Sequence, residues 1–172
     1  MKYFVLLLVY LVFVTHVFAY TLPYPSYMPG HKFYQVSRLL DSLKSRWYWG
    51  DIAGINYTLG LADKYLVEAK TLFEYKQYLL AVDALKRSNE KVQLLPKYLQ
   101  KAYSHGKDVR ELQNKTAEAM NAHIIVLHDL ADELPKEFMW QPEKASATYI
   151  PIATLLDEAK QERLQLQNFH AQ

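Results

Sequence analysis

Apolar residues recur along most of the chain at intervals of three and four, which is the spacing of amphipathic helices. This pattern predicts helices over residues 33–47, 51–73, 78–95, 108–134 and 142–169. Pro96 should kink or restart the third helix, which then continues to residue 103, and Pro151 should interrupt the last one. No stretch alternates with a period of two for long enough to predict a strand. We therefore expect an all-α protein, an antiparallel bundle of about five helices whose apolar stripes all pack together.

Residues 62–88 follow the pattern of one tetratricopeptide unit, with small residues where two helices would touch. Ala69 lies on the first helix of this pair, and Ala81 and Ser88 lie on the second. Copies about 34 residues away are missing, because Gln35 and Lys115 stand where small residues are required. The sequence predicts one tetratricopeptide-like hairpin rather than an array, and any tight antiparallel helix pair would give the same pattern.

The N-terminal residues differ from the rest of the chain. Residues 1–19 combine Lys2, an uncharged apolar run and a small residue at Ala19, which is typical of a secretory signal cut after Ala19. An uncleaved anchor is the alternative, because the run is nearly long enough to span about 30 Å of hydrocarbon. Three prolines then predict an extended strap over residues 20–30. We divide the chain into a signal peptide or N-terminal anchor (1–19), an extended Pro/Tyr strap (20–30) and a single helical domain (31–172).

Composition excludes several classes of chemistry. The 172 residues include no cysteine, which removes disulfide scaffolds, zinc fingers and thiol nucleophiles. Five glycines form no phosphate-binding loop and no dinucleotide fingerprint. The sequence pattern singles out no carboxylate in an apolar setting, so we expect none to act as a general acid. We therefore predict no catalytic residue and no cofactor.

Histidines offer the one metal hypothesis. His128 and Asp132 lie one helical turn apart, but the sequence gives no third ligand at a matching spacing, so we predict no metal site. His123 lies on the apolar stripe of the fourth helix and is expected at the edge of the core.

Charge is unevenly distributed. Residues 86–115 contain eight lysines and arginines against three acids, whereas residues 116–172 contain four against nine. Either the two parts face each other as neighbouring helices, or the basic part meets an anionic surface such as lipid headgroups or wall polymer. The candidate surface for an anionic partner comprises Lys86, Arg87, Lys91, Lys97, Lys101 and Arg110. Nucleic acid is disfavoured by the near-neutral total and by the export signal. Trp47 and Trp49 are candidate aromatic contacts to a glycan or a lipid interface, although core packing is the simpler role for such rings.

Several short segments resemble a family of uncharacterised exported helical proteins from small-genome candidate-phyla bacteria, a family defined as a domain of unknown function. The resemblance covers about residues 22–138. Its motifs are residues 22–25, 28–31, 33–34, 40–41, 61–64, 66–69, 122–127 and 134–135. It implies a bacterial envelope address and an α-helical fold, and it implies no activity.

These observations favour a non-enzymatic, exported protein of the cell envelope, acting as an interaction or structural module with a protein or envelope partner. The alternative is a binding protein for an anionic lipid, wall polymer or glycan. A metal-dependent enzyme using His128 and Asp132 is the third hypothesis.

Overall fold

The computed structural model describes residues 20–23, 34–47, 50–144 and 146–170. It contains five helices and one small sheet in the order α1 (Tyr34–Trp47), α2 (Asp51–Glu74), α3 (Tyr78–Ser104), α4 (Arg110–Glu133), β1 (Phe138–Trp140), β2 (Thr148–Ile150) and α5 (Ile152–His170). Among these described helices, none is long and apolar enough to cross a bilayer.

The predicted all-α bundle of five antiparallel helices is confirmed. Helices α2 and α3 form the most extensive pair and α4 and α5 the next, while α1 touches mainly α2. The small residues predicted at the α2–α3 contact, Ala69, Ala81 and Ser88, have no exposed surface. Two apolar clusters fill the four-helix core, one centred on Leu66, Leu85, Leu127 and Leu156 and the other on Ile55, Leu95, Met120 and Leu166.

The two turns that follow α2 and α3 have the same hydrogen bonds. Gly106 has a φ of 71°, and the Lys107 N–H donates to the carbonyl of Ala102 at 3.1 Å. Lys76 adopts the same left-handed conformation with a φ of 57° after α2. Both are left-handed caps that satisfy the last carbonyls of a helix, and they reverse the chain within a few residues. Short reversals of this kind make the neighbouring helices antiparallel.

Two expectations about the C-terminal part are wrong. A short antiparallel hairpin forms in which Phe138 pairs with Ile150 and Trp140 with Thr148, although no strand was expected. The last helix begins at Ile152, directly after Pro151, and not at residue 142. The Phe138 ring packs on Tyr78, with 4.5 Å between ring centroids, so a contact with the core stabilises the hairpin. Its strands are too short for their sequence pattern to predict them.

The expected restart of the third helix at Pro96 is not seen. Pro96 lies inside α3, which continues without interruption.

The N-terminal predictions lie mostly outside the described residues. These include the signal or anchor over residues 1–19 and most of the strap. Of the strap, residues 20–23 are described, and Tyr20 is half-buried against the second apolar cluster.

Candidate functional site

A layer of polar side chains crosses the four-helix core between the two apolar clusters. Asp63 on α2, Ser88 on α3, His123 on α4 and Arg163 on α5 are all buried. On each helix the polar residue lies between members of the two clusters. Buried polar groups need hydrogen-bond partners, and each of these side chains has at least one partner on another helix.

His123 links the acidic and basic members of this polar layer. Arg163 Nε carries a hydrogen and can only donate, so His123 Nδ1 accepts it at 3.4 Å. The imidazole hydrogen is therefore assigned to Nε2, which lies 2.8 Å from Asp63 Oδ1. Burial lowers the pKa of His123, and the Arg163 charge lowers it further against the opposing effect of Asp63. His123 is thus a neutral bridge between a buried anion and a buried cation, and not the edge residue that we expected.

The remaining bonds of the polar layer are also internal. Arg163 donates to Asn89 Oδ1 at 2.7 Å and to Ser88 Oγ at 2.9 Å. Burial lowers the pKa of Arg163 to about 10, which still leaves the guanidinium charged at neutral pH. Tyr20 donates its phenol hydrogen to Asp63 Oδ2 at 2.5 Å. Both nitrogens of His123 and both oxygens of Asp63 are occupied, so this polar layer joins the helices and the strap and presents no free acid or base.

A second set of polar contacts holds α1 on the bundle. Tyr34 of α1 donates to Glu68 at 2.6 Å, and Arg87 of α3 donates to the same carboxylate at 3.1 Å. The Arg87 guanidinium also lies over the Tyr65 ring, 4.9 Å from its centroid. Burial, together with the Asp41 charge, raises the pKa of Tyr65 to about 12. Arg87, predicted as part of an anion-binding surface, therefore faces an internal carboxylate.

Helix α1 docks through its polar face and leaves its apolar stripe outside. Asp41 pairs with Lys64 of α2, and its backbone carbonyl accepts a hydrogen bond from the Tyr57 hydroxyl at 2.8 Å. The apolar side chains on the opposite face are between 47 and 62% exposed, namely Val36, Leu39, Leu40 and Leu43. The expectation that every apolar stripe packs into the core is wrong for this helix, because its polar face binds α2 instead. We call these four side chains the α1 surface.

The predicted basic residues are divided among different environments. Lys86, Lys97 and Lys101 are exposed on α3, and Lys101 lies 3.5 Å from Asp51. Arg110 is bound by its neighbour Asp108 at 2.6 Å and is 85% exposed. Arg110 holds the pKa of Asp108 at about 2. Within the described part of the chain, no ion pair joins a base of residues 86–115 to an acid of residues 116–172.

Two of the predicted lysines border an open groove between α2 and α3. The groove has a volume of about 300 Å³, and Lys91 and Lys101 line it from α3. Asp51 lines the groove from α2 and accepts a hydrogen bond from His105 Nδ1 at 2.7 Å. This hydrogen bond, together with the nearby Lys101, lowers the pKa of Asp51. The groove therefore contains both signs of charge and is only weakly cationic.

His128 and Asp132, the metal-ligand candidates from the sequence, do not join the polar layer or the groove in the described structure. His128 Nδ1 and Asp132 lie 3.2 Å apart, and both are exposed. Over the described ranges, no three His, Asp or Glu side chains converge on a metal position. Trp47 ends α1, with a side chain outside the described set, and Trp49 lies outside the described residues.

Comparison with known protein families gives a match. The model of a family described as a domain of unknown function, DUF5667, matches residues 26–137, about two thirds of the chain. No curated protein and no solved structure matches. The matched segment includes α1, Asp63, Ser88 and His123, whereas Tyr20 and Arg163 lie on either side of it.

Proposed function

We propose that this chain, which belongs to the DUF5667 family defined by a domain of unknown function, is a non-enzymatic interaction module of the cell envelope that binds its partner through the α1 surface. Export by the N-terminal segment is part of this proposal. It rests on the predicted signal or anchor at residues 1–19.

The observation that carries the proposal is the orientation of α1. Burying an apolar side chain is worth about 1.5–3 kcal/mol, so a helix on its own body should turn such residues inward. Here Tyr34 and Asp41 face the bundle, and Leu39 and Leu43 face away from it. Contiguous exposed apolar side chains on one helix face mark an interaction surface.

The bonding of the ionisable groups in the core supports a binding role rather than catalysis. His123 bonds both Asp63 and Arg163, and Asp63 also accepts a hydrogen bond from Tyr20. A general base needs a free nitrogen or oxygen within reach of a substrate. The hydrogen bonds of this polar layer join four helices to one another. They therefore favour a rigid helical body on whose surface α1 is presented.

Cysteine accessibility tests this proposal, because the chain has no cysteine of its own. Leu39→Cys and Ile125→Cys are matched probes, with the native side chains 62 and 61% exposed on α1 and α4. In intact envelope, alkylation of Leu39→Cys by a maleimide should be much slower than in purified full-length protein, whereas Ile125→Cys should react equally fast in both. Equal rates for Leu39→Cys in the two preparations would refute an α1 interface.

We propose a weaker second candidate, an anionic wall polymer or glycan bound by the exposed lysines of α3. It is favoured because no acid of residues 116–172 pairs with Lys86, Lys97 or Lys101 in the described structure.

Retention on purified anionic wall polymer should fall in the Lys97→Ala/Lys101→Ala variant and at high salt. The Lys136→Ala/Lys144→Ala variant, which removes two exposed lysines from the acidic part, should be retained like the native chain. Equal loss in both variants would reduce this candidate to general charge attraction.

A further inference from the structure

We propose that the partner of the α1 surface is the surface of an anionic lipid bilayer, on which α1 lies flat with its apolar side chains among the acyl chains. This inference rests on the proposed function and names the chemistry of its partner.

The length and pattern of α1 suit an interfacial helix. Its 14 residues are about 21 Å long at 1.5 Å per residue, too short to span about 30 Å of hydrocarbon. Val36, Leu39, Leu40 and Leu43 fall within an arc of about 100° on a helix of 3.6 residues per turn. A helix with a narrow apolar face and a polar opposite face lies in the plane of a membrane interface.

The charge of α1 selects an anionic surface. The helix contains Arg38, Lys44 and Arg46 against the single acid Asp41. Asp41 is already paired with Lys64 of α2, so the net charge of this region is positive. Lys44 is exposed. Basic residues close to an anionic membrane strengthen binding to it, so headgroup charge should decide whether α1 binds.

The start of the folded body also points to a membrane. Tyr20, the residue after the apolar leader, is bonded to Asp63. Lys64, which follows Asp63 on α2, binds Asp41 of α1. An N-terminal anchor would therefore hold α2, the helix on which α1 lies, close to a membrane.

A polarity-sensitive fluorophore on a single cysteine tests the inference in the full-length chain. The dye reports the surroundings of its own position, so membrane insertion of the leader does not by itself give a signal. Leu39→Cys labelled with a nitrobenzoxadiazole dye should gain severalfold in emission and shift to the blue with protein-free vesicles of phosphatidylcholine and phosphatidylglycerol. With phosphatidylcholine alone the signal should stay near that of the free protein. The same dye on Ile125→Cys should not respond to either vesicle.

Two further variants separate charge from apolar contact. Adding Lys44→Glu should weaken the response of the position 39 dye on anionic vesicles, and adding Val36→Ser with Leu43→Ser should abolish it. All of these positions are exposed, so the thermal midpoint should be unchanged and loss of folding is not a confounding outcome.

Each contrary result has a defined meaning. No response at position 39 with anionic vesicles, or the same response with neutral ones, would overturn the inference. If Leu39→Cys is still protected in envelope while the dye ignores vesicles, the partner is not lipid and the proposed interface stands. If protection in envelope is also absent, both fail. A dimer that dissociates in the Val36→Ser/Leu43→Ser variant would assign the surface to a second copy.

Discussion

The neutral bridge formed by His123 should make the stability of the protein depend on pH below the ordinary pKa of histidine. Burial and the nearby Arg163 lower the pKa of the folded imidazole. As the pH falls through about 6.5, histidine in the unfolded chain takes up a proton, while folded His123 stays neutral. The unfolded state then binds more protons than the folded state, so stability is complete above this pH and declines below it.

The size of the effect follows from proton linkage. While the folded imidazole stays neutral, stability falls by up to about 1.4 kcal/mol per pH unit below about pH 6.5. Between about pH 7.5 and about pH 5.5 the integrated loss is at most about 1.4 kcal/mol, the value for an imidazole that stays neutral throughout. For a chain of this length that loss corresponds to a fall of about 3–6 °C in the thermal midpoint.

Urea unfolding at the two pH values, followed by circular dichroism, measures this loss. In His123→Gln the amide can still donate to Asp63 but does not titrate in this range, so the loss between the two pH values should be smaller than in the native chain by up to about 1.4 kcal/mol. His128→Gln, which removes a 60% exposed histidine from the same helix, is the matched control and should keep the native dependence. If His123→Gln loses as much stability on acidification as the native protein, the neutral bridge is wrong.

Three other substitutions test the contacts that join the helices. Arg163→Met should lower the free energy of unfolding by about 3–5 kcal/mol, because Asp63 would be left as a buried charge without its counter-charge; an unchanged urea midpoint would contradict this. Tyr20→Phe should cost about 1–3 kcal/mol by removing one hydrogen bond to that carboxylate, and a native midpoint would show that the strap residue contributes nothing. Arg87→Ala should lower the thermal midpoint clearly, whereas Arg110→Ala, at a fully exposed pair, should not; the reverse order would overturn our division of the basic residues into internal and surface groups.

The helical part of the fold could be predicted because each helix has its own local pattern. Helices α2 and α4 begin and end within two residues of the positions expected from apolar spacing, and α3 does so once its predicted continuation beyond Pro96 to residue 103 is included. The left-handed glycine that ends α3 is also a local signal. The hairpin was missed because its three-residue strands are shorter than any alternation that can be recognised. Its position depends on a contact between Phe138 and Tyr78 that is distant in sequence.

The polar layer could not be read from the sequence. Its members are 60 and 40 residues apart, from Asp63 to His123 and from His123 to Arg163. No short motif connects them. The available signal was a polar residue on an otherwise apolar stripe, which we had noted for His123 alone. The outward face of α1 was missed for a similar reason, since an amphipathic pattern shows which residues share a face but not what covers it.

Helix α5 lies beyond the segment that matches the family, yet it fills gaps in both apolar clusters through Leu156, Ala159 and Leu166. A fragment that ended at residue 137 would expose apolar side chains of both clusters to water and would leave His123 without Arg163. The stretch matched by the family is thus shorter than the set of helices that encloses the core. The boundary of the family match and the boundary of the hydrophobic core therefore differ in this protein.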